Sequence, residues 1–140
     1  MLLFMVSSLM KQLEEYITEM GQDVDLDEFN LKDSQLKLPA LKHKWVGRLI
    51  RHKNELERYK SNRDVMIKQV AQEVIDQATY QVTLPTAQKA AEKHPNVKKI
   101  DESIREQKLI IDFLEKGERI FSGMSFDIKN IIEIMKLETL

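Results

Sequence analysis

Nine Lys and Arg residues crowd into KHKWVGRLIRHKNELERYKSNRDVMIKQ, residues 42–69, against only three Asp and Glu. Side chains of this kind on one surface can neutralise the phosphates of a polyanion. Each neutralised phosphate releases counterions and adds affinity that does not depend on sequence. The same side chains can instead lie along the edges of a helix–helix contact and pair with acidic neighbours. Both readings are open, because the rest of the chain carries 13 basic and 20 acidic residues and could supply those acids.

Other chemistry finds less support. There is no cysteine, hence no disulfide, thiol nucleophile or Cys-based zinc site. The three His, at 43, 52 and 94, lack metal-ligand spacing, and the four Gly are isolated, which excludes a phosphate-cradling loop. Asp23, Asp25 and Asp27 begin like a calcium loop. Glu28 then stands where that loop needs Gly, and Ser34 where it needs a bidentate Glu. Acidic pairs such as Glu14/Glu15 and Asp101/Glu102 lie in solvated helical patterns with no acid/base partner. No catalytic residue, metal or cofactor is expected; binding and assembly are favoured over catalysis.

The elements that must position the charges read as mainly helical. With 140 residues, 42% hydrophobic and 32% charged, the chain suits a single domain of residues 1–140. An amphipathic first helix from about residue 3 to Met20 carries Leu2, Val6, Leu9, Leu13, Ile17 and Met20 on its stripe and stops at Gly21. The opening MLLFMVSSLM lacks a basic leader region and is too short to span a bilayer, so no membrane partner is expected. The segments around Val24 and Val82 could pair as a short two-stranded β element.

A long central helix is expected from between Ser34 and Leu38 to about Ala78, with Pro39 in its opening turn. Its apolar seam runs Trp45, Leu49, His52, Leu56, Tyr59, Arg63, Met66, Val70, close to a heptad pattern. At about 100° per residue, Lys44, Arg48, Arg51 and Arg58 fall on one shoulder of that seam and Lys42, Lys53 and Lys60 on the other. A short helix capped by Thr86 follows, then one over residues 97–121, broken by Ser122 and Gly123. A last helix, capped by Ser125, carries Ile128, Ile131, Ile132 and Met135.

Residues 99–136, KIDESIREQKLIIDFLEKGERIFSGMSFDIKNIIEIMK, add a further clue. Ile100, Asp101, Ser103 and Ile104, then Ile110 to Phe113, then Phe126, Ile128, Lys129 and Ile131 resemble the end of the UvsY family of T-even-type phage recombination mediators. Asp23-Val24, Leu26-Asp27 and Lys44-Trp45 match the family upstream, so the resemblance covers most of residues 10 to 137.

The pattern gives a mainly α, elongated helical protomer with a C-terminal helical hairpin; the resemblance implies its assembly as a ring-like homo-oligomer, hexameric or heptameric. Residues 1–96 would form the DNA-binding part and residues 97–140 the assembly part. It also implies a non-enzymatic mediator in the cytoplasm of an infected bacterial host. Such a protein binds single-stranded DNA coated by the phage single-strand-binding protein and helps a RecA-like recombinase of the UvsX type nucleate its filament. In that family the DNA-binding segment places a Lys and an Arg two positions apart late in the long helix. Here Lys68 matches the Lys, but Val70 occupies the Arg position. The contacts are therefore expected upstream, at Arg58, Lys60 and Arg63, with Arg51 and Lys53 in support. Ile111, Leu114, Ile128, Ile131, Ile132 and Met135 are expected at the oligomer interface. The competing reading is a helical oligomeric adaptor that does not touch DNA.

Overall fold

The structure, a computed structural model, describes residues 6–140. Leu2 and the expected helix start near residue 3 lie outside the described residues. Among these there are four helices and no strand: α1 (Ser8–Asp23), α2 (Leu31–Gln77), α3 (Leu84–Glu92) and α4 (Pro95–Glu138). None is long and apolar enough to cross a membrane.

The helix ends follow local chemistry. Ser7 caps α1, its hydroxyl accepting the Met10 N–H at 3.1 Å. Gly21 does not stop this helix. It stays at negative φ, and α1 continues to Asp23 with Val24 as its C-cap. Asp27 belongs to a turn: its carboxylate accepts from the Phe29 N–H at 3.0 Å and from the Asn30 amide at 3.1 Å. That turn starts α2 at Leu31, earlier than expected, so Pro39 sits inside the helix rather than in its opening turn.

Two sequence expectations are corrected. Neither strand forms: Val24 caps α1, while Val82 packs against the apolar cluster of Val70, Ala71, Ala87 and Ala91. The C-terminal hairpin is absent too, because α4 runs unbroken through Ser122, Gly123 and Ser125. Phe121, Met124 and Ile128, spaced by three and four, are all buried. The apolar face thus continues across the expected break, and packing overrides the weak helix propensity of Ser and Gly.

The chain forms two compact units. One takes the chain up to Arg51 together with Ile110–Leu140; the other is His52–Leu109. The sequence division at residues 96 and 97 does not follow these limits. In the first unit Trp45, Phe121, Leu114 and Met20 are buried, and α1 lies against both long helices. Gly117 leaves room for the end of the Met20 side chain, with which a Cβ there would collide. In the second unit Ala87 and Ala91 seat α3 on Val70 and Ala71, flanked by Met66, Ile67, Val74 and Ile75.

The two α4 glycines should respond differently to alanine. Gly123 has open space around it and helical geometry, so Gly123→Ala should raise stability by about 0.5–1 kcal/mol. Gly117→Ala should be less stable than that variant by about 1 kcal/mol or more, since buried Met20 must be displaced. Denaturant midpoints of the two variants check the order.

Candidate nucleic-acid interface

The basic residues of α2 divide into those held by the fold and those turned to solvent. Lys44 and Arg48 belong to the first group. Lys44 Nζ lies 2.6 Å from Asp23 and 3.4 Å from Glu19, both on α1. Arg48 forks onto the two Glu19 oxygens and lies over the rings of Tyr16 and Trp45, at 5.0 and 4.7 Å from their centroids. Donation from Arg48, ahead of all other causes, holds the Glu19 carboxyl below the usual carboxylate range. Burial pushes the Tyr16 phenol up. These two cations dock α1, the packing role that the acid-rich remainder of the sequence allowed.

Arg63 is also held. Its Nε donates to Asp101 on α4, which raises the Arg63 pKa further. The other polar residue of the seam, His52, is buried and satisfied from the same helix. The Gln107 amide donates to His52 Nδ1 at 2.6 Å and to the His52 carbonyl at 3.0 Å. A side-chain amide nitrogen can only donate, so Nδ1 is the acceptor and the neutral ring carries its proton on Nε2. Gln107 Oε1 is buried without a hydrogen-bond partner among the described residues. Both breaks in the heptad pattern are thus polar crossings between α2 and α4.

Solvent-facing cations make up the second group. Arg51, Lys53, Arg58, Lys60 and Lys68 are exposed. Arg58 pairs with Glu55 at 2.6 Å and Lys60 with Glu57 at 3.5 Å, each three residues away on the same exposed helix surface. Pairs of that kind contribute about 1 kcal/mol or less and are readily exchanged for another anion. Lys68 has no ion pair among the described residues. Among the candidate DNA-binding residues, Arg63 is committed to a partner on another helix.

The candidate assembly residues divide similarly. Ile111, Leu114 and Ile128 are buried by the protomer itself and have almost no apolar surface to offer another chain. Ile131 is half-buried, while Ile132 and Met135 are exposed. The sequence expectation does not include Phe126, Ile134 and Leu137 on this surface, yet they are 70%, 56% and 68% exposed. A signal for them exists: the end of α4 is apolar on nearly every side, which a surface helix of a lone domain is not. Beside it runs an apolar groove of about 520 Å³ lined by Leu31, Leu36, Ile128 and Ile132. No group of three or more His, Asp or Glu among the described residues could hold a metal ion.

The profile of the family described as "Recombination, repair and ssDNA binding protein UvsY" matches residues 19–139. The chain belongs to the UvsY family. Its fold is that of the bacteriophage T4 recombination mediator protein UvsY. One crystal form of that protein aligns at TM-score 0.77 and 21% identity, over 90% of this chain and 98% of the other. A second form aligns at TM-score 0.76 and 20% identity, over 91% and 98%. No curated protein matches the sequence significantly. In this chain the exposed part of α2 carries Arg51, Arg58, Lys60 and Lys68.

The Arg48–Glu19 link gives a pH prediction. A carboxyl with a depressed folded pKa adds stability that is complete above its unfolded pKa and is lost as pH falls through the folded one. The melting-temperature gap between wild type and Glu19→Gln should therefore be widest near neutrality. It should close below the usual carboxylate range, and thermal melts across an acid series measure it.

Proposed function

We propose that this chain is a non-enzymatic recombination mediator that binds single-stranded DNA without sequence preference, through the exposed cations of α2. The observation that carries this reading is the family match over residues 19–139 together with Arg58, Lys60 and Lys68 standing in solvent on one long helix. Arg51 and Lys53 would add charge. Arg63 could join only by giving up Asp101. With no exposed aromatic among these residues, backbone electrostatics would outweigh base stacking.

Assembly follows from the end of α4. Phe126, Ile132, Ile134, Met135 and Leu137 leave apolar surface that a further copy of the chain would bury. A hexameric or heptameric ring would repeat a few cations per protomer into a longer phosphate track. On such a track the protein would engage DNA coated by a single-strand-binding protein and favour loading of a RecA-like recombinase, inside the infected host cell. Ile111, Leu114 and Ile128 would support that surface from inside the protomer.

Affinity for oligo(dT) should fall with salt, log K changing with log salt by about −0.7 per contacted phosphate. The triple variant Arg58→Gln, Lys60→Gln, Lys68→Gln should bind more weakly with a shallower slope. A helical adaptor that does not touch DNA would show no affinity at all, even at low salt. Ile134→Asp with Leu137→Asp should lower particle mass in analytical ultracentrifugation while leaving helicity intact; unchanged mass would exclude this face from assembly.

A further inference from the structure

The second unit contains a basic surface outside α2. Lys89 in the last turn of α3, Lys93 at its C-cap, and Lys98 and Lys99 near the start of α4 are all exposed. Only the α3–α4 corner separates the two pairs. On α3, Lys89 and Lys93 point away from Ala87 and Ala91, the side that packs on α2. On α4, Lys98 and Lys99 follow buried Val97 and turn outward.

None of the four lysines has an ion pair among the described residues, and two nearby acids, Asp101 and Glu102, are engaged elsewhere. Asp101 accepts from Arg63, Glu92 adds to the negative field around the same Arg63, and Glu102 pairs with Arg105. Asp101 and Glu102 are thus taken up by arginines, and the four lysines have no carboxylate partner among the described residues. Helix stability does not account for Lys98 and Lys99 either. They stand where the peptide dipoles favour anions and cations are mildly unfavourable. A protein partner fits the surface poorly, since no large apolar side chain is exposed between Leu84 and Leu109 to anchor one. Lysine-rich surface of this kind is also depleted in protein interfaces.

We propose that Lys89, Lys93, Lys98 and Lys99 form a second phosphate-binding surface for the backbone of single-stranded DNA. The proposal rests on the reading of the chain as a single-strand binder and adds a site that the α2 cations do not include.

Salt-dependent binding of the full chain to oligo(dT) tests this. Replacing all four lysines by Gln should weaken binding at low salt by about tenfold or more and make the slope shallower by about 0.7 for each phosphate no longer neutralised. Lys89→Gln with Lys93→Gln, and Lys98→Gln with Lys99→Gln, should each give part of that weakening. The Lys→Arg counterparts should bind as wild type, and melting temperatures should be unchanged throughout. Wild-type binding with an unaltered slope in the quadruple variant would overturn the corner surface alone. Absence of wild-type binding at low salt would overturn the single-strand reading and this proposal together.

Discussion

Trp45 is the point on which the first unit depends. Its ring is almost wholly buried, stacks on Phe121 of α4 at 6.4 Å between centroids and meets the edge of Tyr16 from α1 at 5.6 Å. The indole N–H would be costly to leave unpaired in that setting, and it donates to Asp23 at 2.9 Å. Asp23 also accepts from Lys44, and Arg48 covers the ring while reaching Glu19. One aromatic side chain therefore draws three helices together, and Lys44 and Arg48 of the long helix are consumed in holding them.

That arrangement explains why positive charge in this chain does not have a single meaning. Lys44, Arg48 and Arg63 answer acids on neighbouring helices, whereas Arg58, Lys60 and Lys68 face water. An arginine on the seam can link helices because its long stem packs while its planar head finds a carboxylate. Lys60 and Lys68, off the seam, make no ion pair with an acid of a neighbouring helix among the described residues and face solvent. The packing determines which charges of this helix stay accessible to solvent.

The long helices pose a related constraint. A helix of 47 residues, or of 44, exposes more apolar surface than its own ends can cover, so its stability depends on neighbours along its length. Up to Ile128 the α4 stripe is buried within the protomer; beyond it, apolar residues face several directions without cover. The polar His52–Gln107 and Arg63–Asp101 links punctuate the α2 seam in the second unit. Such interruptions set which residues meet, a registry role that a uniformly apolar seam performs less well.

Composition and periodicity were enough to specify the helical class, the long helix from the thirties to the late seventies, and the cation-rich segment on it. The Trp45, Leu49 and Val70 positions of the seam were likewise legible from spacing, and all three are buried. Periodicity carries such information because a helix must bury one stripe to be stable. The course of α4 through Ser122 and Gly123 was not legible locally, since burial of Phe121, Met124 and Ile128 outweighs local propensity. Packing in three dimensions also separates Ile128 from Ile132, neighbours on one stripe with different surroundings. It turns Arg63 inward as well: its partner Asp101 lies 38 residues along the chain, at a distance no local pattern encodes.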